Sequence, residues 1–154
     1  MKKKLRNISA RDIVVVVVWA SAITVMTIIA EYVKPPRTGS TGTSFDALDL
    51  AIVLVTSLVF GMFLVDPVKI LYGFIGAISL STIMSVIYSA LYDLYVLRLG
   101  EYFTGVVPGW EWEWVTWLAF LRIFRTMFPA AILLVFVGGM IGGIVSDWIW
   151  PHRG

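Results

Sequence analysis

The sequence predicts an all-α integral membrane protein, with four transmembrane helices and one amphipathic interfacial helix before the last span. Three observations predict it. Of 154 residues, 59% are hydrophobic and 14% charged, with a mean hydropathy of +0.89, whereas soluble domains carry about 25% charged residues. Asn7 is the sole asparagine and there is no glutamine. The apolar residues fall in four blocks close to or longer than the roughly 20 residues that cross a bilayer core. Finally, four of the seven tryptophans lie within Gly109-Trp-Glu-Trp-Glu-Trp-Val-Thr-Trp117, the indole-rich composition of a membrane–water boundary. Because hydrocarbon offers the backbone no hydrogen-bond partner, the four blocks must be helices that satisfy themselves. The whole chain, residues 1–154, reads as a single polytopic domain.

The first span covers about Asp12 to Val33, with no charge between Asp12 and Glu31. Ser9-Ala-Arg-Asp12 has the form of a capping box, Asp12 standing in for the usual Glu or Gln. Lys2, Lys3, Lys4 and Arg6 ahead of this run, with Ala20-Ser-Ala22 inside it, also have the outline of a secretory signal peptide. The apolar run continues past Ala22, as a retained helix would. A breaker-rich loop, Pro35 to Ser44, leads to a second span from about Phe45 to Val65. Its first turns carry Asp46 and Asp49, where carboxylates suit the positive end of the helix dipole.

Asp66-Pro67 ends that span and opens the third, since proline is disfavoured inside a helix but accepted at its first position. The third span, Pro67 to about Leu99, is roughly 50 Å long. Its last turns are therefore expected to stand clear of the hydrocarbon, with Tyr88, Tyr92 and Tyr95 as one aromatic stripe at the exit. Gly100 is a plausible stop. The fourth span runs from about Phe128 to Trp150, apolar except for Ser146 and Asp147.

Between the third and fourth spans, residues 109–127 fit a helix better than a strand. Trp110, Trp114, Trp117, Leu121, Phe124 and Phe128 recur at alternating steps of four and three and form one apolar face. Glu111, Arg122 and Arg125 fall away from it, although Val115 and Leu118 keep the opposite side from being fully polar. The expectation is an interfacial helix that anchors the bundle or serves as a docking surface, with Pro129 bending it into the fourth span. Trp110, Trp114, Trp117, Arg122 and Arg125 are its candidate contacts with lipid or a partner. The two arginines could hold a phosphate or carboxylate, or simply sit in solvent or stack on rings.

Seven basic residues (Lys2, Lys3, Lys4, Arg6, Arg11, Lys69 and Arg153) fall on the side of the termini, and five (Lys34, Arg37, Arg98, Arg122 and Arg125) on the other. The excess, and the cluster of five beside the first span, place both termini in the cytoplasm of a multi-pass cell-membrane protein.

Small residues make the most specific pattern. Gly73, Ala77, Ser81, Ser85 and Ser89 recur every four residues in the third span; Gly138, Gly142 and Ser146, flanked by Gly139 and Gly143, do so in the fourth. Helix association in lipid relies on close packing, which small residues permit. The third and fourth spans are therefore expected to meet along these seams, unless one is left to bind a second copy or another membrane subunit. Asp147, just past the glycine seam, is placed to pair with Lys69 or an N-terminal lysine.

Much chemistry is excluded. With no cysteine and one histidine, His152, the chain has no thiolate nucleophile, no disulfide and no usual zinc, iron–sulfur or bis-histidine haem site. GxSxG, HExxH and phosphate-cradling loops are absent. No carboxylate lies near the centre of a span, which argues against a proton-coupled carrier. The expectation is a non-catalytic protein without cofactors, contacting membrane lipids and no nucleic acid. It would act as an accessory or structural subunit packing through its seams on itself or a larger complex. The alternative is a minimal transporter or channel formed by self-association and lined by Ser81, Ser85 and Ser89. A lipid-acting enzyme using Glu111, Glu113, Arg122 and Arg125 ranks third.

Overall fold

A computed structural model of the chain describes residues 9–33, 45–64, 66–97 and 111–150. These form five helices and no strand: α1 (Ala10–Ile28), continued by a π-helical turn (Ile29–Val33), α2 (Ala47–Leu64), α3 (Pro67–Tyr95), α4 (Glu111–Met127) and α5 (Ala130–Ile149). Helices α1 with its π turn, α2, α3 and α5 are long and apolar enough to cross a membrane.

The starts are fixed by short polar side chains. Ser9 Oγ accepts from the Asp12 N–H at 3.2 Å while Asp12 accepts from the Ser9 N–H at 3.0 Å, a reciprocal capping box. Asp46 and Asp49 do the same for α2, at 3.0 and 2.8 Å. Asp66 caps α3 by accepting from Val68, with Pro67 in the first turn. Each such cap is worth about 1 kcal/mol. Helix α3 stops at Tyr95, about a turn before the expected Leu99. Tyr95, Val96 and Leu97 are all exposed, so no packing offsets the entropy of ordering another turn. Residues 128 and 129 separate α4 from α5 around the cis Phe128–Pro129 peptide.

The long helices pack as two parallel pairs. Asp12 meets Lys69, Thr24 meets Ser81 and Tyr32 meets Ser89, each 57 residues apart. Val16 meets Gly73 at the same offset. A constant offset means that α1 and α3 run parallel in one fixed register for about 30 Å. In the second pair, Leu54 meets Gly138 and Leu58 meets Gly142, an equal advance that makes α2 and α5 parallel as well. The backbones are close: a Cβ added to Gly138 would lie 2.7 Å from the Leu54 carbonyl oxygen, and one on Gly142 would overlap that of Leu58.

The partners of the seams therefore differ from expectation. The α3 seam (Gly73, Ala77, Ser81, Ser85, Ser89) is buried and faces α1, while the α5 seam (Gly138, Gly139, Gly142, Gly143) is buried chiefly against α2. Trp19 is the physical reason. Its fully buried indole lies where the two glycine faces would have met, with ring atoms 3.8 Å from a Cβ built on Gly73 and 3.1 Å from one built on Gly139. It also stacks on Phe60 with centroids 6.1 Å apart and donates through Nε1 to Ser57 Oγ at 3.3 Å. Where α3 and α5 do touch, Phe74 meets Phe136 edge-on at 5.2 Å.

Candidate functional site

Polar side chains gather at the end of the bundle where α1 and α3 finish. The stripe of residues every four along α3 does not stop at Ser89; the next step is Asp93, on the same buried face, and its side chain is 0% exposed. The π turn at the end of α1 carries Glu31 and Tyr32, and α4 supplies Arg122 and Thr126. A π turn widens the helix by one residue, a feature frequent at functional sites.

Arg122 is the hub. Its Nη1 donates at 3.0 Å to both carboxylate oxygens of Asp93 and, also at 3.0 Å, to the Tyr32 hydroxyl. The guanidinium also lies over the Tyr32 ring, 5.9 Å from its centroid. The Tyr32 hydroxyl is hydrogen-bonded to Ser89 Oγ. Thr126 donates to the Glu31 carboxylate and lies 3.0 Å from the Arg122 carbonyl oxygen. The Tyr32 ring rests on Tyr92 and Tyr88, at 4.6 and 5.9 Å. Burial alone would weaken the Arg122 charge, but the Asp93 carboxylate outweighs it and holds the guanidinium proton above its ordinary range. Cation, carboxylate, phenol and hydroxyls are spent on one another, and the cluster ties α4 to both α1 and α3.

Helix α4 turns two faces in different directions. Val115, Ala119, Ile123, Thr126 and Met127 are buried; Val115 and Ala119 pack with Ala90 of α3. The stripe Val115–Ala119–Arg122–Thr126, at steps of four, three and four, is the face that engages the bundle. On the other side Trp114, Trp117, Leu121, Phe124 and Phe128 are exposed, and Trp117, Phe120, Phe124 and Phe128 stack in series at 5.7, 6.0 and 5.2 Å. Arg125 is also exposed. Trp110 lies outside the described residues. The two arginines are not brought together as a pair: Arg122 turns inward and Arg125 outward. Nor do Glu113 and Arg122 share a pocket, because Glu113 lines a separate groove with Trp112 and Trp117.

The opposite end holds a simpler contact. Lys69 Nζ is 2.5 Å from Asp12 Oδ2, and Arg11 donates to the Phe63 carbonyl at 3.1 Å, at the last turn of α2. Lys69 thus takes Asp12 and not Asp147, which is exposed; the constant register of α1 on α3 puts Asp12 in reach first. Between the two ends, Thr24 donates to Ser81 at 3.2 Å, while the buried Ser85 and Ser146 hydroxyls have no partner among the described residues.

Sequence reasoning found Arg122 but missed its partner. The signal was available, since extending the four-residue step beyond Ser89 lands on Asp93. Tyr32 and Glu31 left no comparable trace, because their approach depends on the wide turn at Ile29–Val33. Comparison of the chain with protein-family models, curated proteins and solved structures gives no match.

Proposed function

We propose that the chain is a small, non-catalytic multi-pass membrane protein with an accessory or structural role, whose working surface is the pole carrying α4. The membrane reading rests on the distribution of polarity. Large apolar side chains point outward from all four long helices, among them Val14, Leu48, Val55, Val68, Ile83 and Ile144. Hydroxyls and carboxylates such as Thr24, Ser57, Ser81, Asp49 and Asp93 are buried inside. Monomers in water rarely expose contiguous apolar patches beyond a few hundred Å², and polar residues turned toward neighbouring helices are the pattern expected in lipid.

Helix geometry supports an interfacial position for α4. Counting from Pro67 at the inner boundary, Val86 stands about 28 Å along α3 and Asp93 about 39 Å, against a hydrocarbon core of about 30 Å. The first turn of α4 meets α3 at Val86, and Met127 at its other end lies 3.7 Å from Thr82 Oγ1. Between these ends Val115 and Ala119 pack on Ala90 and Arg122 reaches Asp93, so α4 touches α3 from Thr82 to Asp93. In that pose the Trp112 end of α4 lies near the headgroup boundary, its Met127 end reaches the level of Thr82, about 22 Å from Pro67, and the Arg122–Asp93 pair sits outside the hydrocarbon. The seam serines are covered by α1, which favours the accessory reading over a pathway formed between copies. With the termini in the cytoplasm, any partner in the cell membrane would meet the exposed aromatic face of α4 or the apolar flanks of the bundle.

The absence of cysteine makes the test direct. The membrane fraction is washed at alkaline pH, and single-cysteine variants are labelled in intact cells with an impermeant maleimide. The chain is expected to stay with the membrane until detergent is added, with Tyr95→Cys labelled and Trp148→Cys protected. Release without detergent would overturn the membrane reading. Labelling of Trp148→Cys with protection of Tyr95→Cys would reverse its sidedness.

A further inference from the structure

The oxygens around Arg122 are held in place without it. The Tyr32 hydroxyl is hydrogen-bonded to Ser89 Oγ, and the Tyr32 ring rests on Tyr92 and Tyr88, which also stack on each other at 6.2 Å. Asp93 stands on the same buried face of α3 as Ser89. The π turn of α1 and the last turns of α3 therefore build a preorganised seat, and α4 supplies what fills it.

Arg122 matches that seat only in part. A guanidinium commonly grips a carboxylate through two nitrogens, one to each oxygen. Here a single nitrogen, Nη1, lies 3.0 Å from both Asp93 oxygens and from the Tyr32 hydroxyl, so two N–H groups face three acceptors. Nε and Nη2 make no hydrogen bond among the described residues, and the side chain is 35% exposed. Three oxygens equidistant from one point suit a primary ammonium, a compact charge with three N–H donors. The Tyr32 ring, 5.9 Å from the guanidinium carbon, adds the attraction of its face for a cation. A divalent metal fits less well. It needs oxygens at roughly 2.0–2.6 Å, and the described residues contain no group of three acidic or histidine side chains able to hold one.

We propose that this seat recognises a small primary amine in its ammonium form and that Arg122 is its tethered competitor. The incoming ammonium takes the place of Nη1 on Asp93 and Tyr32, and the Arg122 side chain, already part exposed, turns out to solvent. One cation replaces another, so the buried Asp93 carboxylate is never left uncompensated. Occupancy releases the polar tie between Arg122 and the α1–α3 pair, while Ile123 and Met127, in the main core, keep α4 attached. The seat does not depend on the membrane reading, since α1 and α3 form it whatever surrounds them.

The test uses the full chain in mild detergent, labelled with 15N-arginine and titrated at constant ionic strength with ethylammonium or with tetramethylammonium, a cation that has no N–H. The Arg122 signal, identified by its absence from Arg122→Lys, is expected to move toward that of a solvated arginine with ethylammonium only. By saturation-transfer measurements on the ligand, ethylammonium should bind Arg122→Ala at least about tenfold more tightly than the natural chain, in which the open seat is a minor state. Adding Asp93→Asn to Arg122→Ala should weaken binding about tenfold, the order expected for losing a hydrogen bond to a charged group. An Arg122 signal unmoved by ethylammonium, or moved equally by both cations, would overturn the proposal, as would equal binding with and without Asp93→Asn. The first readout is made on the natural chain, so the result does not hang on the stability of Arg122→Ala. Repeating the titration in bilayer discs separates two sources of the ammonium. Ethanolamine phospholipid that abolishes ethylammonium binding identifies a lipid headgroup as the occupant, and undiminished binding identifies a soluble amine.

Discussion

Removing Arg122 tests whether the polar pole holds α4 in place. Arg122→Met keeps most of the side-chain volume but takes the guanidinium from between two Asp93 oxygens at 3.0 Å and the Tyr32 hydroxyl. Opposite charges about 4 Å apart attract by about 4 kcal/mol at an effective dielectric constant of 20. Stripping one partner from a buried pair typically costs about 3–5 kcal/mol, because the remaining charge stays buried and uncompensated. The Asp93 side chain is 0% exposed but that of Arg122 is 35% exposed, so water screens part of the pair. The single variant is therefore expected to lose about 2–4 kcal/mol. Replacing both residues, Arg122→Met with Asp93→Leu, removes the stranded carboxylate and should bring stability to within about 1 kcal/mol of the natural chain. Reversible unfolding in mixed micelles of mild detergent and dodecyl sulfate, followed by circular dichroism, measures all three proteins. A single variant within about 0.5 kcal/mol of the natural chain, or a double variant as weak as the single one, would refute the reasoning.

Two further predictions concern the parallel helix pairs. Gly142→Ala forces a Cβ into the Leu58 carbonyl of α2, whereas Gly76→Ala meets only Val16 Cγ1 at 3.2 Å; the first should cost at least about 2 kcal/mol and the second under about 1 kcal/mol in the same unfolding assay. The fixed offset of 57 residues between α1 and α3 predicts that Ala20→Cys with Ala77→Cys, both fully buried, cross-links under mild oxidation in this cysteine-free chain. Ala20→Cys with Ile78→Cys should not cross-link, and the reverse outcome would show a different register.

Much of the fold was legible because runs of about twenty apolar residues leave the backbone few alternatives to a long helix. Length and hydropathy located the four long helices, and Ser9, Asp66 and Pro67 marked starts that the described caps occupy. What could not be read was which helix faces which. A small residue every fourth position says that something approaches closely, but not what. Gly73 and Gly142 look alike in sequence, and the choice between partners was made by Trp19, a bulky residue on a third helix. The periodicity of α4 was similarly ambiguous. Trp114, Trp117 and Phe124 stood out, and the quieter stripe of Val115, Ala119, Arg122 and Thr126 that contacts the bundle did not. Asp93 falls near the end of its span, a position that by itself asks for no partner; that it is buried depends on Arg122, 29 residues away in the chain.

The places where polar side chains pair have a common logic. Apolar surfaces are nearly interchangeable in lipid, since hydrocarbon chains compete with leucine and valine on equal terms. On the membrane reading proposed above, register comes from close backbone contacts and from polar pairs. Helix α1 carries the latter along its whole length: Asp12 to Lys69, Trp19 to Ser57, Thr24 to Ser81 and Tyr32 to Ser89. Sliding α1 by one residue along α3 would break the first, third and fourth together, stranding a cation and several hydroxyls. Arg122 extends the same device to α4. Val115 and Ala119, which pack on Ala90, are small and alone would fit several heights along α3, while Ile123 and Met127 enter the main core. A guanidinium that must reach both Asp93 and Tyr32 fits one of those heights. The pair is thus expected to matter more for where α4 sits than for how tightly the chain folds, which is why the double variant is predicted to keep its stability while losing its defined α4 position.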